Sequence, residues 1–306
     1  MRILIRIVVG VALALQCSAT TVHAAAPDFT LWQDLLNRYA RQVSAKGQSI
    51  DTRFDYEQLY VDENIWGTRE SAKLARIREQ MFAIPPESMG VADRRAWAIN
   101  AYNFLVVERA TFKLLVPGRR FLRYGSVNEM LYSDGPFFEA KAVTIGEQAY
   151  TIAEFERAYI QNDPIMPPEP RSRPSDPRVA FATCPGAVGG PTLWLRAFRG
   201  DSIEAQLDRV TRNALANPKW IRVGADKNNL EVSDALFTRR FDLGGDAAGI
   251  IRFVAKYGPK DAQGVIRKYK LTAPPRYMAF DWKLNQVERP KNLIPQGALS
   301  DSLAKR

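Results

Sequence analysis

Apolar positions in the first third of the chain recur at helical spacing. Leu31, Trp32, Leu35, Leu36, Tyr39 and Val43 fall on one face, which predicts an amphipathic helix over about residues 30–44. A second helix carries Leu74, Ile77, Met81 and Phe82, with Thr68 as its candidate cap and Pro85-Pro86 as its stop. A third and longer helix is expected from a cap at Asp93 to Leu115, ahead of Pro117-Gly118. It is apolar nearly all round, with Trp97, Ile99, Ala101, Phe104, Leu105 and Val107, and such a helix belongs at the centre of a core.

Beyond residue 140 the period changes. Val143, Ile145 and Ala149 alternate around Gly146-Glu147, a hairpin with glycine first in the turn. Thr151 and Glu154 have the spacing of a capping box opening a helix. Pro164, Pro167, Pro168, Pro170, Pro174 and Pro177 break both periodicities, so residues 162–178 read as an extended surface excursion. Arg178 to Thr183 reads as a short strand entering the turn Cys184-Pro-Gly-Ala-Val-Gly-Gly-Pro191. Asp201 and Glu204 open a helix carrying Ile203, Leu207, Val210 and Leu215. Trp220 to Val223 and Leu230 to Val232 are two strands around a polar turn, and Ser233 starts a short helix. A last helix carries Ile250, Ile251, Phe253, Val254 and Tyr257 and ends at Gly258-Pro259. There is no repeat, heptad or regular βαβ alternation. The expected fold is α+β: a single domain over residues 25–293, with a helical N-terminal half, a small mixed sheet and short hairpins, then a polar tail over 294–306.

The composition, 46% hydrophobic and 25% charged over 306 residues, excludes a disordered chain, a collagen-like repeat and a small disulfide scaffold. The N-terminus changes the picture more. Arg2 and Arg6 precede an apolar run from Ile7 to Leu15, and Val22-His23-Ala24 supplies a cleavage site before Ala25. This is the layout of a secretory signal peptide over residues 1–24, and the run is too short to span a membrane as a helix. The expected location is therefore periplasmic or secreted, with no transmembrane segment after cleavage. A retained anchor or lipidation of Cys17 is the alternative, although Gln16 suits a lipidated cysteine poorly.

Cleavage removes His23, the one histidine of the chain, and Cys17, one of its two cysteines. The mature chain would then carry no imidazole and a single thiol, Cys184. That excludes Ser-His-Asp and Cys-His catalysis, zinc sites built from His and Cys, and an intrachain disulfide. The glycines of residues 186–190 form no phosphate-binding fingerprint, so neither a cofactor nor a metal is expected. Without the leader the net charge is +8, from 41 basic and 33 acidic residues. From Arg252 onward there are twelve basic residues against four acidic ones, which accounts for the whole surplus. It reads either as a solvated surface or as attraction to anionic envelope material, lipid headgroups or glycans. Export and the lack of any helix-turn-helix, zinc-finger or RNA-binding motif argue against nucleic acid.

Three constellations remain. Asn100 and Asn103 share one face of the apolar helix at i, i+3, where a buried amide must be hydrogen-bonded. They either satisfy the backbone of adjoining loops or orient a catalytic group or substrate carbonyl. Cys184 is either a buried residue at a strand end or a nucleophile, for which Arg178, Glu156 or a tyrosine would have to serve as helper. Asp281, in Phe280-Asp-Trp-Lys-Leu-Asn285, braces its loop or acts as the orienting acid of a site.

Together these pieces resemble the domain of unknown function 547 family, from about Trp32 to Asn285. The resemblance rests on Phe54-Asp55-Tyr56, the helix Trp97-Ala-Ile-Asn-Ala-Tyr-Asn103, Thr151 to Gln161, Asp176 to Leu193, Leu236 to Leu243 and Phe280 to Asn285. The family has no settled biochemical activity, and its usual histidine and cysteine pattern is compatible with thiol-based hydrolysis. This chain departs from that pattern. Ala180 stands where the family usually has histidine, Pro185 and Gly190 stand where it has cysteines, and Arg157 replaces a histidine after Glu156. Cys184 lies one place before the usual cysteine. The resemblance therefore implies a retained scaffold, Asn100, Tyr102, Asn103, Glu156 and Asp281; Arg157 and Arg178 are further candidates for binding or orienting a site. The expected function is a secreted, catalytically degenerate binding or accessory protein of the cell envelope. The alternatives are a hydrolase or transferase using Cys184 or carboxylates with Asn100 and Asn103 polarising a carbonyl, and a basic module adhering to anionic surfaces.

Overall fold

The first helix ends earlier than its apolar spacing predicts. In the computed structural model, which describes residues 28–44, 49–64, 72–114, 124–161, 176–240, 242–274 and 276–288, helix α1 covers Thr30–Tyr39. At Ala40 the chain turns extended, and β1 (Ala40–Ser44) pairs antiparallel with β2 (Ile50–Phe54). Val43 fits the helical period, but five residue pairs of ladder, closed by the buried Phe54, override that local preference. Helix α2 (Tyr56–Asn64) was not expected, because its apolar positions do not form a stripe. Helix α3 (Lys73–Phe82) buries Leu74, Ile77 and Met81 as predicted. Its expected cap, Thr68, lies outside the described residues, as do the leader, most of the proline-rich excursion and the tail.

Helix α4 (Val91–Leu114) starts two residues before the expected cap at Asp93 and forms the axis of the core. Trp97, Ile99, Ala101, Phe104, Leu105 and Val107 are all buried. The Trp97 indole donates to the Met81 carbonyl (2.7 Å) and meets the rings of Phe82, Phe155 and Tyr159, so α3 and the segment after residue 151 dock on one side chain. A short pair, β3 (Leu131–Tyr132) and β4 (Gly135–Pro136), precedes the predicted hairpin β5 (Lys141–Ile145) and β6 (Gln148–Thr151). Gly146 turns that hairpin at φ 59°, where side chains are disfavoured. Thr151 and Glu154 form the expected capping box of α5 (Ile152–Phe155), which widens into a π-helical turn over Glu156–Ile160.

The strand expected at Arg178–Thr183 is instead a 3₁₀ turn over Pro177–Phe181. Pro177 at its first position fixes φ, and the Asp176 carboxylate accepts from the Arg178 amide (3.0 Å), so proline and cap together outweigh the β-forming Val179 and Phe181. Helix α6 (Ile203–Leu215) leads to β7 (Ile221–Val223) and β8 (Leu230–Ser233), which pair antiparallel. Ser233 caps α7 (Asp234–Thr238), and α8 (Ala247–Tyr257) follows with Asp246 as cap. Helix α9 (Lys260–Tyr269) was not anticipated. Finally β9 (Arg276–Met278) pairs parallel to β8, completing a mixed sheet of order β7-β8-β9. One contiguous apolar cluster runs from Trp32 to Leu284, so the fold is a single-domain α+β. Among the described residues no helix is long and apolar enough to cross a membrane.

Candidate functional site

The two amides of α4 are bound to backbone. The Asn100 side chain donates to the Phe198 carbonyl (2.8 Å) and accepts from the Phe198 amide (2.9 Å). Asn103 does the same across two residues, donating to the Ala182 carbonyl (2.9 Å) and accepting from the Cys184 amide (2.8 Å). Each asparagine thus closes a two-bond clamp on an irregular segment that has no ladder of its own. Both are buried, and neither lines the cavity at Tyr102, so neither is placed to polarise a substrate carbonyl there.

Cys184 sits behind this clamp, 3 % exposed. Its sulfur accepts from the Asn285 amide at 3.4 Å, and the Asn285 oxygen accepts from the Tyr56 hydroxyl at 2.7 Å. Burial pushes the thiol up to about 11, away from the thiolate a nucleophile requires. The glycines that follow serve packing. Residues 281–287 thread beside the turn: Gly189 donates to the Asp281 carbonyl (2.8 Å), Val188 to the Lys283 carbonyl (2.8 Å), and Asn285 to the Gly186 carbonyl (2.9 Å). A Cβ on Gly189 would fall 2.6 Å from the Asp281 nitrogen, so only glycine admits this approach. The Lys219 ammonium anchors the turn from the other side, donating to the Val188 carbonyl (2.9 Å) and pairing with Asp51 (3.2 Å).

In front of the clamp lies a cavity of about 330 Å³. Tyr102, one helical step from Asn103, forms part of its wall together with Glu156 from the π turn and Arg239 from the end of α7. The Arg239 guanidinium donates to Glu156 Oε1. Burial works against the charge of Arg239, but Glu156 outweighs it and holds the group above its ordinary value. Burial, and then the Glu156 charge, push the Tyr102 phenol well above its ordinary value, so the phenol stays protonated. Asp234, Asp242 and Thr183 add polar groups, and Phe138, Phe181, Trp220, Phe280 and Trp282 supply aromatic surface. Ala180 and Pro185 also line this cavity. They are two of the four positions at which the family resemblance implies histidine or cysteine; the other two, Arg157 and Gly190, do not line it. Among the described residues no cluster of three or more His, Cys, Asp or Glu side chains is placed to hold a metal ion.

The structure therefore brings together two of the residues singled out from the sequence, Tyr102 and Glu156. Asp281 is exposed and accepts from the Lys283 amide (2.9 Å), bracing its own loop. Arg178 does not line the cavity; it is held by Asp176 (2.7 Å), Asp208 (2.7 Å) and Glu204 at the junction of the 3₁₀ turn with α6. Arg157 is exposed on the π turn and does not line the cavity. Arg239 was missed among the site residues because its partner lies 83 residues away, although it falls within the family-like stretch Leu236 to Leu243.

Comparison with curated proteins and with solved structures finds no match to this chain. A family model does match it, between the turn before α4 and the last turn of α6, a span that holds both asparagine clamps, Glu156, Ala180 and Pro185. Residues 86–214 match the model of the family described as "Protein of unknown function, DUF547", as the resemblance implied.

Proposed function

We propose that this chain is a non-catalytic, ligand-binding member of its family, exported to the cell envelope, with the cavity over Tyr102, Glu156 and Arg239 as its binding site. One observation carries the reading. Ala180 and Pro185 line the same cavity as Tyr102 and Glu156, so where the resemblance implies a base and a nucleophile this chain offers a methyl group and a pyrrolidine ring. Its one described thiol is buried, does not line the cavity and is held as the neutral form. A positioned acid–base group contributes about 10²–10⁴ in rate, and a nucleophile without it adds little. The cavity and its charge pair remain, and those are sufficient for binding. The envelope location rests on the leader-like residues 1–24.

The test is thiol reactivity in the native protein. Iodoacetamide and a fluorophosphonate-type electrophile should leave the folded chain unlabelled over hours, with Cys184 alkylated only in denaturant. Rapid and selective labelling of native Cys184, or of any cavity side chain, would overturn the non-catalytic assignment. Recovery from cells of a periplasmic form beginning near Ala25 tests export separately; a cytoplasmic form still carrying residues 1–24 would refute it.

A further inference from the structure

The cavity's polar groups define which chemistry it accepts. Tyr102 is 3 % exposed, and its hydroxyl makes no hydrogen bond with any described residue, although it forms part of the cavity wall. Arg239 and Gln161 both address Oε1 of Glu156, which leaves Oε2 as an unpartnered acceptor among the described residues. One guanidinium nitrogen of Arg239 is committed to that pair, and the other N–H groups remain as donors. The Asp234 carboxylate, at the first turn of α7, has no hydrogen-bonded or ionic partner among the described residues. The cavity thus presents unused acceptors (Glu156, Asp234), unused donors (Arg239) and one group that does both (Tyr102).

These groups stand between aromatic walls. Trp220 and Phe181 approach at 5.1 Å between centroids on the inner side. Phe280 and Trp282 approach at 4.5 Å, and Trp282 is 42 % exposed. The charge balance is also decided: Glu156, Asp234 and Asp242 face a single arginine among the lining residues. A phosphate, sulfate or polycarboxylate ligand would meet a surplus of negative charge at short range in a partly desolvated space. A simple apolar ligand would leave the Tyr102 hydroxyl, the Asp234 carboxylate and Oε2 of Glu156 without partners, at a cost each time. A lone cation would satisfy the carboxylates but oppose Arg239.

From this we infer that the cavity takes a neutral or amine-bearing saccharide. A sugar ring has flat C–H faces that pack on aromatic rings, and a rim of hydroxyls that each donate and accept, matching the mixed inventory at Tyr102, Glu156, Arg239 and Asp234. At about 330 Å³ the cavity is at the small end of ligand sites, which suits one or two rings of a longer glycan that leaves past Trp282. The inference rests on the binding reading proposed above and narrows its ligand to a class without the acidic groups that the chain's overall basic charge suggests.

The experiment uses the full mature chain. Tryptophan fluorescence and saturation-transfer NMR are followed on titration with N-acetylchitotetraose, chitotetraose, cellotetraose, tetragalacturonate and inorganic phosphate. Saturable binding of at least one of the first three is expected, with tetragalacturonate and phosphate at least 10-fold weaker. Trp282→Ala should weaken that binding at least 10-fold and Tyr102→Phe at least 3-fold. Phe237→Ala, an exposed ring that does not line the cavity, should leave it unchanged. Trp282 is 42 % exposed, its ring contact being with Phe280, and Tyr102→Phe removes only an unpartnered hydroxyl, so both variants should unfold within a few degrees of wild type. The saccharide assignment is overturned if none of the three neutral or amine-bearing probes binds, if tetragalacturonate binds as well as they do, or if Trp282→Ala and Tyr102→Phe bind like wild type. Cleavage of a bound tetrasaccharide into shorter products would instead keep the ligand class and overturn the non-catalytic reading.

Discussion

Asn103→Ala removes both bonds of a buried clamp and leaves the Ala182 carbonyl and the Cys184 amide without their partners. Both residues are at most 3 % exposed, so neither group gains full access to water. An unsatisfied buried polar group costs about 1–3 kcal/mol, and the two together about 2–6 kcal/mol. Alanine repays about 0.5 kcal/mol because asparagine is a poor residue in a helix interior. The expected loss is therefore about 2–5 kcal/mol, a large share of the 5–15 kcal/mol typical of a domain. Asn103→Asp is the sharper control. It keeps an acceptor for the Cys184 amide but sets a carboxylate oxygen against the Ala182 carbonyl, so it should be no more stable than the alanine variant near neutral pH. Urea unfolding followed by circular dichroism measures both, and hydrogen exchange at the Cys184 amide reports on the clamp alone. Unfolding within 1 kcal/mol of wild type, with the Cys184 amide still protected, would show that the clamp is not what holds residues 182–184.

Other perturbations act on the same region. Burial raises the Cys184 thiol to about 11 against an ordinary value near 9, so the unfolded chain ionises first as pH rises. Stability from this group is complete below about pH 9 and is lost as pH climbs towards 11, by up to about 3 kcal/mol. Cys184→Ala should lack that component, so the wild-type minus variant stability, measured by urea melts from pH 7 to 10.5, should fall with pH; a flat difference would refute it. Gly189→Ala should destabilise by more than about 2 kcal/mol, since its methyl would lie 2.6 Å from the Asp281 backbone; an unchanged melting temperature would contradict the close approach. Moving the thiol one residue, with Cys184→Ala and Pro185→Cys together, should make a native chain that reacts with iodoacetamide at least 10-fold faster than wild type, because residue 185 lines the cavity and residue 184 does not; equal rates would refute that placement. Truncation after Leu293 should leave the melting temperature unchanged, as the core cluster ends at Leu284.

How much of this was legible depends on whether the determining contact was local. The capping box at Thr151 and Glu154 and the turn at Gly146 were readable because their partners lie within three or four residues. The apolar face of α4 announced a central helix for the same reason. Helix α9 could also have been found, since Ala262, Val265 and Ile266 recur at helical spacing after Gly258-Pro259. The end of α1 could not, because β1 exists through its pairing with β2, not through its own preference. The asparagine pair shows the boundary clearly. That each amide needed a partner followed from burial; that the partners are Phe198, Ala182 and Cys184, about 80–100 residues on, could not be read from the chain.

The helix Trp97–Asn103 gains its meaning from the 100° between successive residues. Asn100 and Asn103 project towards the loops they clamp, while Tyr102, one step back from Asn103, presents its phenol to the cavity. The clamped segment repeats this division. Asn103 fixes the Cys184 amide, which leaves the Cys184 side chain behind against Asn285 and puts Thr183 and Pro185 in front. A thiol shifted by one residue therefore leaves the cavity lining and packs against Asn285 instead. The bond from Asn103 to the Cys184 amide and the Asn285 contact to its sulfur keep this side chain away from the cavity that Pro185 lines. The side chains that clamp the walls, Asn100 and Asn103, and those that line the cavity, Tyr102, Thr183 and Pro185, thus lie on different faces of the same few turns of chain, so lining residues can change without disturbing the clamps.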